Sequence, residues 1–138
     1  MGRAADGTFP SLPSYTGQPF TMEDWDDLYG NYEVTTDMAS FFGPQLIKVY
    51  PDAKVVLVQR DYDAWYKSLD EGLLQTGESW LVRFHLKYTE PLSGLATAAS
   101  AQKIMQGYFE AKDIDEIRKN ARRIYDAHYH TIEALVPP

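Results

Sequence analysis

Residues 53–60 read Ala-Lys-Val-Val-Leu-Val-Gln-Arg and contain the clearest strand pattern of the chain. Four consecutive apolar residues, three of them β-branched, are typical of a parallel strand that is covered on both faces. A shorter stretch rich in β-branched residues lies upstream, at residues 33–36. The intervening residues 39–50 favour a helix, which Gly43-Pro44 would kink or restart. We therefore predict a βαβ unit with strands at residues 33–36 and 54–59 and a right-handed crossover.

Several helices are predicted around this unit. Thr21, followed three residues later by Asp24, is typical of the cap of a helix over residues 22–29. Asp113 and Glu116 have the same spacing and predict the start of a last helix, which carries an apolar stripe to the end of the chain. Further predicted helices cover residues 62–74, 79–88 and 92–109.

The predicted fold class is α/β, with a small parallel sheet packed by about five helices. Glycine and proline recur throughout residues 1–20, which are therefore predicted to form an irregular arm. Residues 21–138 then form a single domain, as the length of 138 residues suggests.

Composition excludes several classes of protein. Apolar residues make up 44% and charged residues 24%, which is ordinary for a soluble globular protein. The longest uncharged, mostly apolar stretch, residues 91–102, is far shorter than the roughly 20 residues of a membrane span. The absence of cysteine excludes disulfides, thiolate metal sites and a cysteine nucleophile. No apolar leader segment occurs in the first residues, so we expect a cytoplasmic protein without a membrane association.

The distribution of charge along the chain indicates which kinds of partner the protein can bind. The net charge is −7, and residues 1–78 hold 13 acidic against 5 basic residues. A nucleic-acid-binding protein would need a broad basic surface, so no nucleic-acid partner is expected. Ten tyrosines and three tryptophans suit a pocket for a small molecule, although a core stiffened by large side chains is the favoured explanation.

Arg60 and Ser68 form the strongest candidate site. Arg60 follows the carboxyl end of the apolar strand, where open α/β sheets bind their ligands, and Ser68 lies about two turns into the next helix. Arginine offers a planar set of donors that suits phosphate or sulfate, and a serine hydroxyl adds another. In the alternative interpretation, Arg60 only pairs with Asp61 or Asp63 and Ser68 is solvated.

Acid–base candidates are Asp37 and His85. Asp37 ends the first predicted strand on the same edge as Arg60, where a carboxylate could act as a general base, hold a metal or simply cap the next helix. His85 lies in an aromatic and basic segment and could face a pocket. His128 falls on the apolar stripe of the last helix, which is more typical of a hydrogen-bonded core histidine.

Two longer segments together resemble a known family. They are residues 26–38 and residues 46–61, and the match continues through Trp65-Tyr66-Lys67-Ser68 and through residues 125–137. This combination resembles the sulfotransferase-like branch of the P-loop superfamily. The resemblance implies a truncated P-loop domain in which Arg60 and Ser68 bind the 3′-phosphate of the sulfate donor PAPS, with Trp65 in the same ligand-binding block.

The family's phosphate loop, Gly-x-Pro-Arg-Thr-Gly-Thr, has no counterpart before Phe20. Three functions are therefore considered: a PAPS-dependent sulfotransferase or a fragment of one, a non-catalytic binding module, and a repurposed enzyme without a cofactor. We favour the third, which would act on a small apolar metabolite of secondary metabolism by cyclisation, isomerisation or dehydration. The apolar strand would have an open edge, so a homodimer is expected.

Overall fold

The computed structural model describes residues 1–89 and 97–136, apart from the side chains of residues 83, 85 and 86, and it is helical throughout its regular elements. The α-helices are α1 (Gly2–Thr8), α2 (Met22–Tyr29), α3 (Gly43–Val49), α4 (Tyr62–Leu69), α5 (Gln75–Glu78), α6 (Trp80–Phe84), α7 (Thr97–Tyr108) and α8 (Ile114–Leu135). A 3₁₀-helix spans Asp37–Phe42, and π-helical turns span Asp70–Leu74 and His85–Thr89. No helix within these ranges is long and apolar enough to cross a membrane.

The predicted α/β fold with a parallel sheet is wrong for the described residues. Residues 54–60 belong to no helix or strand. The alternating exposure of residues 55–58 and the hydrogen bonds from α8 to the carbonyls of Val58 and Arg60 indicate an extended backbone. No backbone hydrogen bond joins this segment to residues 33–36. Residues 33–36 are exposed, and Val34 retains 80% of its accessible surface. β-Branched residues favour an extended backbone, whereas a sheet also requires a neighbour that supplies the ladder. The strands predicted at residues 33–36 and 54–59 are therefore not formed.

The predicted helix starts are confirmed. Thr21 and Asp24 form a reciprocal capping box at the start of α2, and Asp113 accepts a hydrogen bond of 2.9 Å from the backbone N–H of Glu116 at the start of α8. Gly43-Pro44 restarts the chain as α3 after the 3₁₀-helix. Within the predicted helix 92–109, residues 97–108 are helical, and residues 92–96 lie outside the described residues.

The predicted helix over residues 62–74 is continuous but irregular. Trp65, Leu69 and Leu73 recur every four residues, which predicts that they share one buried face. A π-helical turn follows α4 and adds a residue to the turn, so this spacing does not keep Leu73 on the buried face. Leu73 is exposed and Leu74 is buried in its place, whereas Leu69 is buried as the spacing predicts.

The amino-terminal segment is part of the core. Ala4 and Ala5 of α1 are fully buried with Phe9, Trp25 and Phe42. The prediction of an irregular arm is wrong for residues 2–8, because small side chains on α1 allow close packing against α7. A second cluster packs the π-turn against α8 and consists of Leu69, Leu74, Phe109, Ala111, Ile117, Ala121 and Ile124.

Arg118 of α8 joins the π-turn and α5 to the last helix. Its guanidinium lies 2.9 Å from a carboxylate oxygen of Asp70 and 2.7 Å from one of Glu78. Hydrogen bonds from Gln75 and Arg118 lower the pKa of Asp70, and the hydrogen bond from Arg118 lowers the pKa of Glu78. Both carboxylates therefore stay charged in the folded protein at a pH where they would be protonated in the unfolded chain.

This network predicts a pH-dependent stability. A carboxylate whose pKa is lowered by folding stabilises the folded state above its unfolded pKa of about 4, and the stabilisation is lost as the pH falls through the lowered value. Arg118→Ala should therefore lower the melting temperature at pH 7, and the difference from the wild type should shrink below about pH 4.

The matched control is Arg123→Ala. Arg123 pairs with Glu110 at 2.6 Å, but both partners are more than half exposed, so the melting temperature should change less. Thermal unfolding of both variants followed by circular dichroism between pH 3 and pH 7 checks this. Equal, pH-independent losses in the two variants would contradict the role given to the Arg118 network.

Candidate functional site

Arg60 and Ser68 are brought together. Arg60 ends the extended segment, Ser68 lies on the second turn of α4, and Nη1 of Arg60 donates a hydrogen bond of 2.9 Å to Oγ of Ser68. The serine hydroxyl in turn donates to the carbonyl of Ala64, 3.2 Å away. Because both side chains are exposed, the remaining guanidinium donors of Arg60 are open to an anionic ligand.

Two tyrosines of α8 hold the extended segment that carries Arg60. The hydroxyl of Tyr129 donates to the carbonyl of Val58 at 2.9 Å, and the hydroxyl of Tyr125 donates to the carbonyl of Arg60. These tyrosines were not singled out from the sequence. Their four-residue spacing on a strongly predicted helix places them on one face, which is the signal that could have identified them.

A shallow cleft of about 460 Å³ opens beside Arg60. It is lined by Gln59, Arg60, Asp61, Tyr62, Asp63, Arg122, Tyr125 and Asp126. Two arginines thus face three carboxylates. This charge balance suits a ligand with one anionic group better than a ligand with several negative charges.

The first turn of α4 has a limited capacity for an anion. The carboxylate of Asp61 caps the helix and accepts a hydrogen bond of 3.0 Å from the backbone N–H of Ala64. This carboxylate therefore occupies one of the free donors at the helix start, where an anion would otherwise bind. Asp61 caps the helix, and Arg60 bonds to Ser68, so the alternative in which Arg60 merely pairs with Asp61 is not the arrangement observed.

Arg122 and Tyr62 form the opposite side of the cleft. The guanidinium of Arg122 lies 4.4 Å from the centre of the Tyr62 ring, and its Nε donates to Asp126 at 3.2 Å. Burial raises the pKa of Tyr62, so its hydroxyl stays protonated at neutral pH. Trp65 packs against Tyr125, with the two ring centres 4.9 Å apart. It is not among the residues that line the cleft.

Asp37 lies outside this cleft. It is the first residue of the 3₁₀-helix and is exposed, with a positive φ of 58° that few residues other than glycine, asparagine and aspartate adopt readily. Its neighbour Met38 lines a second, more apolar cavity of about 310 Å³, together with Met1, Thr97, Ser100, Ala101 and Ile104. Asp37 itself is not among the residues that line either cavity.

The histidines contribute less to a site. His85 begins the second π-helical turn, and its side chain lies outside those described. Partial burial lowers the pKa of His128, and its ring contacts that of Tyr108, as expected for a core histidine. Within residues 1–89 and 97–136, no three histidine or carboxylate side chains lie close enough together to hold a metal ion.

Comparison with known proteins defines the class. The family model of the sulfotransferase domain matches residues 1–138, and the chain belongs to this family. A curated relative is Ava biosynthesis cluster protein M of Aspergillus versicolor, which is 32% identical over 88% of this chain. The match covers 47% of that protein, so the chain spans about half of its length. No solved structure matches the chain.

Proposed function

We propose that this sulfotransferase-like chain binds a small molecule of secondary metabolism through an anionic group held by Arg60 and Ser68. The observation that carries the proposal is the 2.9 Å hydrogen bond between these side chains at the rim of a cleft. The relative's assignment to a biosynthesis cluster supports a role in making small molecules.

The charge balance of the cleft supports a repurposed protein over a PAPS-dependent sulfotransferase. PAPS carries several negative charges, whereas the cleft presents the carboxylates of Asp61, Asp63 and Asp126 beside its two arginines. Each carboxylate near a ligand phosphate would weaken binding by like-charge repulsion. A metabolite with one phosphate, sulfate or carboxylate group would bind Arg60 with less repulsion from these carboxylates.

The binding proposal is tested by calorimetric titration with two probes. Phenyl phosphate carries a single anionic group on an apolar ring, and PAP is the desulfated form of the donor PAPS. We expect phenyl phosphate to bind at least as tightly as PAP. Arg60→Ala should weaken this binding tenfold or more, because a hydrogen bond to a charged group contributes about 1.5–3 kcal/mol.

The matched control is Arg123→Ala, since Arg123 lies on α8 but is not among the residues lining the cleft. This variant should retain wild-type affinity for phenyl phosphate. Equal losses in Arg60→Ala and Arg123→Ala would show that only overall charge matters and would overturn the proposed site. Micromolar binding of PAP that Arg60→Ala abolishes would support the PAPS-dependent sulfotransferase instead.

A catalytic role in cyclisation, isomerisation or dehydration is the second candidate, with Asp37 and His85 as its acid–base residues. The apolar cavity lined by Met38, the neighbour of Asp37, favours it. General acid–base catalysis contributes about 10²–10⁴-fold, so Asp37→Asn should lower turnover by this factor. Asparagine tolerates the positive φ of Asp37, so the fold should persist. Unchanged turnover by the folded variant would show that Asp37 is not an acid–base residue of the reaction.

A further inference from the structure

The extended segment at residues 54–60 has one free edge. The carbonyls of Val58 and Arg60 point towards α8, where Tyr129 and Tyr125 bind them. Successive residues of an extended chain direct their backbone groups to opposite sides, so those of Val55, Leu57 and Gln59 point away from α8. These three residues make no backbone hydrogen bond to any described residue.

The side chains of this segment alternate as in a strand. Val56 and Val58 are 85% and 76% exposed, while Val55 and Leu57 are partly buried against the rest of the protein. An unpaired edge with exposed β-branched residues is the feature that native proteins usually cover or protect with charge. Its backbone is already held in the extended conformation by α8, so a second strand would pair at a low entropic cost.

We propose that this edge pairs with the same edge of a second copy of the chain, as two antiparallel strands related by a twofold axis. In both copies the free backbone groups belong to the same alternate residues, Val55, Leu57 and Gln59. An antiparallel twofold pairing therefore places the free N–H groups of one copy opposite the free carbonyls of the other. Such a pairing would also bring exposed valines of the two copies together.

Charge selects the register of the two strands. With Leu57 on the twofold axis, Lys54 of one copy would face Arg60 of the other, and like charges directly opposite each other are destabilising. With Val56 on the axis, Lys54 faces Val58 instead, and Arg60 lies beyond the paired residues, opposite the turn at residues 51–53. This register avoids both copies of the like-charge contact, so the register centred on Val56 is favoured.

Single-cysteine variants test the register, since the chain has no cysteine of its own. In the proposed dimer the two copies of residue 56 face each other with Cα atoms about 4.5 Å apart, within the range of a disulfide. The two copies of residue 58 lie four residues apart along the strands, or about 13 Å. Mild oxidation should therefore cross-link Val56→Cys and leave Val58→Cys and the equally exposed Val34→Cys monomeric on a non-reducing gel.

Light scattering at micromolar concentration tests the interface without oxidation. The wild type should be a dimer, Val56→Lys should be a monomer, and Val34→Lys should remain a dimer. Circular dichroism controls for folding, which a lysine at so exposed a position should leave intact. A monomeric wild type, a dimeric Val56→Lys, or equal cross-linking at residues 34 and 56 would overturn the proposal.

Discussion

Trp25→Ala should remove about 3–5 kcal/mol from the free energy of unfolding, as is usual for truncation of a fully buried tryptophan. The side chain is 0% exposed and lies at the centre of the first core cluster. Its ring centre is 5.0 Å from that of Phe20, 6.0 Å from the stacked ring of Tyr29 and 5.4 Å from that of Phe42. Because domains of this size are stable by about 5–15 kcal/mol, this loss is a large fraction of the total stability.

Urea unfolding followed by circular dichroism measures this effect. The matched control is Trp80→Ala, since Trp80 is 72% exposed and its truncation should change the free energy of unfolding by less than about 0.5 kcal/mol. Similar losses in both variants would contradict the burial of α2. Trp25→Phe should cost far less than Trp25→Ala, because it keeps an aromatic ring and removes an indole N–H that has no partner in the core.

Local signals in the sequence predicted the parts of the fold that depend on close neighbours. The capping pairs Thr21–Asp24 and Asp113–Glu116 were recognisable because each involves residues three positions apart. The sheet was predicted wrongly because strand pairing depends on residues far away in the chain, which β-branched content does not report. The π-helical turn at residues 70–74 escaped prediction for a similar reason, since no local residue pattern specifies it.

In the candidate site, too, the sequence predicted the local contacts and missed the long-range ones. The proximity of Arg60 and Ser68 followed from a strand end and two helical turns, and the hydrogen bond between them shows this geometry. The tyrosines that bind the segment at residues 54–60 lie 65 and 71 positions from their partners, too far along the chain for a spacing argument. Asp37 was placed on the same edge as Arg60 only because a parallel sheet was assumed, and without that sheet it lies outside the cleft.

Gly107→Ala should destabilise the protein by about 1–3 kcal/mol, although alanine is the better helix former. Gly107 is buried near the end of α7, and a Cβ atom there would lie 2.6 Å from Cδ2 and 2.8 Å from Cβ of Phe9. The hydroxyl of Ser11 donates to the carbonyl of Gly107 at 3.0 Å, so the chain after α1 has little freedom to move away. Urea unfolding measures the loss.

Gly72→Ala is the matched control, because no atom lies within 4 Å of the position of its Cβ. Gly72 lies in a helical turn, where alanine restricts the unfolded chain, so this variant should gain about 0.4–1 kcal/mol. The two glycine variants thus change stability in opposite directions only if Phe9 packs on α7. If the amino-terminal residues formed an undocked arm, Gly107→Ala would also be stabilising, because the clash with Phe9 would not exist.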